Sequence, residues 1–398
     1  MNKRKASLAV IFFTVFIDLL GFGILIPILP TFASNVIGVS DFGIGIIVAS
    51  YSFMQFSFNP VIGKISDRLG RRPVILVSLL TTVISYIIFS FSTTFLILLV
   101  SRLLAGIGGS NIGAAQAYIA DITDTTDRAK GMGLIGAAFG LGFVFGPILG
   151  GLISEYGYQY VGYVSAGFSF IALIFAFLFL PESIKEKKSL ENFDYSLIKK
   201  DDILEVIDRP NVAIFIGLFF IIIFAVANIY GTFALLGQQY YGFTDRENGY
   251  LFGILGIVGA AVQGIFLKKI RKFISERYLI IIGLFLLMVS LALMPYGINF
   301  IGVAVISGLL AFGTGILQPT ILSLISKHSP IVNQGKILGL NQSIASLARV
   351  LGPLWGGFAF QYLGYQSPFL TGALFTLVTL IITIYLFMLN KKEFNYNV

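Results

Sequence analysis

Residues 63–73 read Gly63-Lys64-Ile65-Ser66-Asp67-Arg68-Leu69-Gly70-Arg71-Arg72-Pro73, a dense charged loop between two apolar stretches of bilayer length. The chain around it is 57% hydrophobic and only 12% charged, where an ordinary globular domain is about a quarter charged. Its mean hydropathy is +0.91. A short basic loop between two spans fixes orientation, because Lys/Arg-rich loops stay on the cytoplasmic side. The formal net charge of +8 is accounted for by such loops and does not point to nucleic acid. Cysteine is absent and there is one histidine, so no disulfide framework and no cysteine- or histidine-built metal site is expected.

Apolar runs of about 18 residues or more recur throughout, the signature of membrane-spanning helices. The runs predict an all-α polytopic membrane protein with 12 transmembrane helices. They lie at 8–32, 42–63, 74–92, 95–120, 131–154, 160–180, 211–234, 246–267, 278–296, 299–325, 337–360 and 368–389. With both termini cytoplasmic, 24 of the 27 Lys and Arg residues fall on the cytoplasmic side. Arg246 alone faces outward, and Arg102 and Arg349 lie inside spans. The opposite orientation would break the charge rule almost everywhere.

The longest polar stretch divides the chain into an N-terminal six-helix half (1–180), a cytoplasmic linker (181–210) and a C-terminal six-helix half (211–398). The halves repeat. Gly146-Pro147-Ile148-Leu149-Gly150-Gly151 recurs 206 residues later as Gly352-Pro353-Leu354-Trp355-Gly356-Gly357. The same offset maps Ser101, Leu103, Leu104 and Ala105 onto Ser307, Leu309, Leu310 and Ala311. A shared offset in adjacent spans indicates a duplicated six-helix unit, giving two pseudo-symmetric halves.

Several intramembrane groups carry chemistry. Asp18 lies about 15 Å into span 1 at 1.5 Å per residue, the one acid deep in any span. A carboxylate there is costly unless solvated, paired or protonated, and is a functional candidate by default. Arg102 sits about 10 Å from the outer end of span 4, above a face of Gly106, Gly109 and Gly113. Arg349 shares a helical face in span 11 with Gln342, Ser346 and Pro353. It is placed to bind an anionic substrate group or to pair with Asp18. Tyr51, Gln55 and Asn59 line one face of span 2, and Asn111, Gln116, Asn228 and Gln318 are further cavity candidates. In span 5, Gly142, Gly146 and Gly150 are spaced by four and form a groove that admits a neighbouring helix closely.

The Gly…Asp-Arg-Leu-Gly-Arg-Arg spacing of 63–73 resembles the loop between spans 2 and 3 of the major facilitator superfamily, and the resemblance covers the whole chain. It implies two six-helix halves that rock about a central substrate site, usually in a monomer. It also implies that Gly63, Asp67, Arg68, Gly70, Arg71 and Arg72, with Asp121, latch the halves. Asp67 is expected to face the N-terminus of span 11, and Arg68 or Arg71 to pair with Asp121. Gly133, Gly142, Gly146-Pro147 and Gly150-Gly151 fit that family's antiporter pattern, and Arg102 fits a span-4 motif associated with proton transfer. The run from Gly113 to Asp124, with Asp127-Arg128-Ala129-Lys130-Gly131, is similar to the tetracycline-resistance branch of the twelve-span drug:proton antiporters. Spans 7 to 12 depart from that branch, with no deep acid and no intramembrane histidine but with Arg349. That departure counts against tetracycline itself as the substrate.

These readings predict a proton-coupled antiporter of the plasma membrane that exports amphipathic small molecules, with Asp18 and Arg102 as the proton-coupling pair. The alternative is a carrier for a metabolite such as an organic anion or a sugar. No Gly-x-x-x-x-Gly-Lys-Ser/Thr loop is present, so neither ATP-driven pumping nor enzymatic activity is expected. The partners expected are substrate, protons and the lipid bilayer, with the proton gradient in place of any cofactor.

Overall fold

The computed structural model describes residues 3–184, 206, 209–330 and 334–389. Among these, regular structure is helix throughout, with no strand. The predicted linker lies outside the described residues beyond 184, apart from a few positions before Pro210. The chain divides into two units, Met1–Leu197 with Phe243–Gly253, and Ile198–Gly242 with Ile254–Val398.

The first unit begins with α1 (Lys3–Leu25) and α2 (Ile28–Asn35), one predicted span broken at Ile26–Pro27. Pro27 has no N–H to give the preceding turn, so the helix restarts there. Then come α3 (Asp41–Leu69), α4 (Arg71–Ser90) and α5 (Phe95–Gly108). A 3-10 turn at Gly109–Asn111 leads into α6 (Ile112–Ile122), followed by α7 (Thr125–Ser154) and α8 (Tyr158–Phe179). Ser40 and Thr94 cap α3 and α5 by accepting the amides of Gly43 and Ile97, as N-cap hydroxyls do. The core of this unit is Ile11, Val15, Leu19, Leu79, Tyr118, Ala138 and Ala172, all buried.

The second unit contains α9 (Pro210–Ala227) and α10 (Ile229–Tyr241), which meet at Asn228. The helix α11 (Asp245–Ala261) follows; its first turns pack with the first unit. A π turn at Val262–Phe266 joins it to the short α12 (Leu267–Ile270). The remainder is α13 (Glu276–Leu293), α14 (Phe300–His328), α15 (Gln334–Tyr362) and α16 (Ser367–Leu389). Pro147, Pro319 and Pro353 lie inside α7, α14 and α15.

Ten stretches of the described residues are long and apolar enough to cross a membrane, against twelve predicted spans. The two predicted spans without such a stretch are α3 and α15, each 29 residues long. Both are diluted by a polar stripe, Tyr51, Gln55 and Asn59 in α3 and Asn341, Gln342, Ser346 and Arg349 in α15.

The charged stretch at 63–73 is not an extended loop. Helix α3 runs through Leu69 and α4 starts at Arg71, leaving Gly70 alone as the connector. Lys, Arg and Leu sustain a helix well, so the turn falls on the residue that tolerates φ 111°. His328 is the last residue of α14, and its ring centre lies 5.3 Å from that of Phe215.

Candidate functional site: a buried carboxylate and a charged helix junction

Asp18 is 7% exposed. Its carboxylate accepts two hydrogen bonds, from Asn111 Nδ2 at 3.2 Å and from Ser169 Oγ at 3.1 Å. The donors come from the 3-10 turn between α5 and α6 and from the middle of α8. Hydrogen bonds to a charged group contribute about 1.5–3 kcal/mol each. Glycines make this approach possible. A Cβ at Gly21, one turn beyond Asp18, would lie 3.1 Å from the Ser165 carbonyl and 3.3 Å from Ser169 Oγ.

Arg102 is 2% exposed and donates to Ser101 Oγ at 3.0 Å, while its Nε has no hydrogen-bond partner. Its guanidinium lies 5.8 Å from the ring centre of Tyr86 and 5.4 Å from that of Phe89. Aromatic faces therefore supply part of its counter-charge. Tyr86 interacts electrostatically with both Asp18 and Arg102.

On α3, Tyr51 stacks on Phe22 with ring centres 4.9 Å apart. Gln55 Nε2 donates to Tyr51 Oη at 3.0 Å and to the Gly109 carbonyl at 3.1 Å. Asn59 follows on α3, half-buried, whereas Gln116 on α6 is exposed. In the second unit Asn228 donates to the Pro368 carbonyl at 2.5 Å, inside the joint between α9, α15 and α16. A Cβ on Gly356 would collide with its Oδ1. Arg349 is half-buried and donates to Ser346 Oγ at 3.3 Å, and Ser346 donates to the Gln342 carbonyl. Gln318 is half-buried on α14.

The charged junction centres on Arg71, not on Arg68. Arg71 reaches Asp67 at 2.5 Å, Asp121 at 3.1 Å and Ser66 Oγ at 2.6 Å. Ser183 Oγ also donates to Asp121, at 2.8 Å. Glu182 caps α4, accepting the amides of Arg71 and Arg72 at 2.9 and 3.2 Å. A carboxylate is favoured there by the free N–H groups of a helix start. A Cβ at Gly70 would collide with Glu182, so Gly70 is required for room as well as for φ. Arg72 donates to the Phe177 carbonyl at 2.7 Å. Gly63 has open space around it.

The glycines of α7 divide between two neighbours. A Cβ on Gly142 or Gly146 would approach Leu19 at 3.0 Å or the Gly23 Cα at 2.6 Å, and one on Gly150 would meet the Ile24 carbonyl. That face receives α1. Gly151 faces the start of α11, and a Cβ on it would lie 2.8 Å from the Arg246 Cα. On the same side, a Cβ on Gly249 would lie 2.5 Å from the Pro147 carbonyl. Gly133 has open space around it.

Sequence reasoning missed Ser169, Tyr86, Ser66, Ser183 and Glu182. Ser165 and Ser169, one turn apart in an otherwise apolar span, were a usable signal for a polar partner. So was Glu182, directly after the Leu-Pro stop of span 6. Tyr86 had no signal separating it from the other 17 of the chain's 18 tyrosines.

Comparison with known proteins agrees with this architecture. The family model of the Major Facilitator Superfamily matches residues 11–330 and 274–395. The class E tetracycline resistance protein of Escherichia coli is 30% identical over 91% of this chain and 88% of its own length. Multidrug resistance protein 2 of Bacillus subtilis (strain 168) is 29% identical over 96% of each chain. The crystal structure of the human organic anion transporter MFSD10 (TETRAN) superposes with a TM-score of 0.69 at 24% identity, covering 96% of this chain and all of that one. The chain belongs to the Major Facilitator Superfamily and is a multi-pass membrane transporter.

Proposed function

We propose that this transporter is a proton-coupled antiporter of the plasma membrane that exports amphipathic small molecules by alternating access, through twelve spans with both termini cytoplasmic. The observation that carries the reading is the Asp18 carboxylate, buried mid-span and held by Asn111 and Ser169. A buried carboxylate on a pair of neutral donors can take up and lose a proton without leaving a stranded counter-ion. In the cycle, substrate enters the inward-facing state and displaces the proton from Asp18. Reorientation releases the substrate outside, and Asp18 is reprotonated there. The glycine face of α7 against α1 lets the helix bearing Asp18 lie close to its neighbour. Relatives named for tetracycline and multidrug resistance support export.

Arg349 favours a second reading, a carrier for an organic anion or another metabolite. It is half-buried in mid-helix on a polar face with Ser346 and Gln342, and a cation inside a span is a natural site for an anionic group.

Everted vesicles with an acidic interior and a pH-sensitive dye separate the two. Tetracycline, a lipophilic cation and an organic anion are added in turn. Export coupled to protons predicts that at least one compound drives proton efflux in wild type and none in empty vesicles. Compound movement with no proton efflux favours the carrier reading.

A further inference from the structure

The carboxylate of Asp18 and the side chains of Tyr51 and Gln55 are joined by a continuous set of contacts through one short turn. Asn111 Nδ2 donates to Asp18. Asn111 is the last residue of the 3-10 turn Gly109–Asn111 that interrupts α5 and α6. The first residue of that turn, Gly109, offers its carbonyl to Gln55 Nε2 at 3.1 Å, and Gln55 Nε2 also meets Tyr51 Oη at 3.0 Å. Any side chain at Gly109 would collide with Tyr51 Oη, so the glycine is what lets these groups meet the turn. A stretch of 3-10 helix inside a longer helix often marks a functional hinge or a strained segment.

The amide of Asn111 is half-used. Its Nδ2 is bonded to the carboxylate, while its Oδ1 is buried with no hydrogen-bond partner. A buried polar atom left unpaired costs about 1–3 kcal/mol, and such atoms call for an explanation. Protonation of Asp18 supplies one. A carboxylate only accepts hydrogen bonds, whereas a carboxylic acid has one O–H to donate. When Asp18 takes a proton from water, that O–H requires an acceptor, and rotation of the Asn111 amide brings Oδ1 to it.

We propose that Asn111 is a two-state amide that reports the protonation of Asp18, through the Gly109–Asn111 turn, to the Tyr51–Gln55 pair. The deprotonated state has Nδ2 donating to Asp18. The protonated state has Asp18 donating to Oδ1, with the turn shifted and the Gln55–Gly109 bond loosened. The inference rests on Asp18 as the coupling carboxylate and adds the route by which its proton is felt where substrate is proposed to bind. Tyr86, Arg102 and Tyr51 are the titratable or charged groups in electrostatic range of this cluster. On the other sides, α8 presents Ser165 and Ser169 to this part of α1, and α7 presents Gly142 and Gly146. Arg102 is the cation of this set; its hydrogen bond goes to Ser101 Oγ and not to Asn111.

Infrared difference spectra of the purified full-length protein, recorded across a pH titration without substrate, test the route. The Asp18 carboxylic band is assigned by its loss in Asp18→Asn, and the Tyr51 ring band by its loss in Tyr51→Phe. In wild type both bands are expected to change with one midpoint. In Asn111→Leu the Asp18 band still titrates and the pH-dependent shift of the Tyr51 band is lost. Gln55→Leu, on a half-buried position that does not touch Asp18, is expected to give the same loss with the Asp18 band intact. A Tyr51 band that still follows Asp18 in both variants overturns the proposal, as does one that stays fixed in wild type while Asp18 titrates. An Asp18 band that never titrates in wild type removes both the proton-coupling reading and this inference.

Discussion

Arg71 holds three partners with one planar side chain, Asp67 and Ser66 through Nη1 and Asp121 through Nε. Lysine keeps the charge and loses the fork, so Arg71→Lys cannot serve these partners together. Arg71→Lys is expected to lower thermal stability in detergent by about 1 kcal/mol, because both carboxylate partners are partly exposed and Ser66 keeps its bond to the Gly63 carbonyl. Equal melting of wild type and variant would show that the cluster does not act as a unit. Asp18 shows how far a single residue can be read from sequence. Its depth in span 1 singled it out, because no other acid lies so far inside a span. Its partners could not be named the same way. Ser169 is 151 positions away and Asn111 is 93 away, and only the fold brings them together.

At the level of helices, the glycines of α7 make opposite predictions according to what faces them. Gly146 meets the Gly23 backbone, where a Cβ would lie 2.6 Å from Cα. Gly146→Val therefore pushes α1 away from α7 and should abolish transport and sharply lower thermal stability. Gly133 has nothing within 4 Å, so Gly133→Ala should be neutral or stabilising by up to about 1 kcal/mol from helix propensity. Parallel melting curves check both, and equal damage at the two sites would refute the packing argument. The start of α4 offers another test. Glu182 caps two of its amides, and Glu182→Gln keeps the shape while removing the charge. A loss of about 0.3–1 kcal/mol is expected, shrinking in high salt, as for charges at helix ends. A loss that does not change with salt would point to packing instead. The sequence located these helices well where hydropathy is uniform. It misread 63–73 as a loop, because charge density marks a membrane boundary and says nothing against a helix continuing past it.

For the molecule as a whole, the recurring apolar runs made an all-helical multi-pass protein legible in the sequence, and the 63–73 motif made its superfamily legible. Hydropathy is weaker where it matters most. The polar stripes of α3 and α15 that carry candidate substrate groups also take those helices out of the ten plainly apolar stretches. Function and membrane signal compete for the same positions. Reporter domains fused to each terminus test the proposed topology, with both expected to be active only in the cytoplasm. A terminus reporting from outside would contradict the orientation drawn from the basic loops.

The most direct test of Asp18 as the coupling carboxylate compares two activities of wild type and Asp18→Asn in the same everted vesicles, using the compound that drives proton efflux. One is compound-driven proton efflux. The other is exchange of labelled for unlabelled compound with no pH gradient. Asp18→Asn should keep the exchange and lose the proton efflux, because the binding site still turns over but carries no titratable proton. Proton efflux that survives in Asp18→Asn would place coupling elsewhere in the protein and leave Asp18 a structural residue.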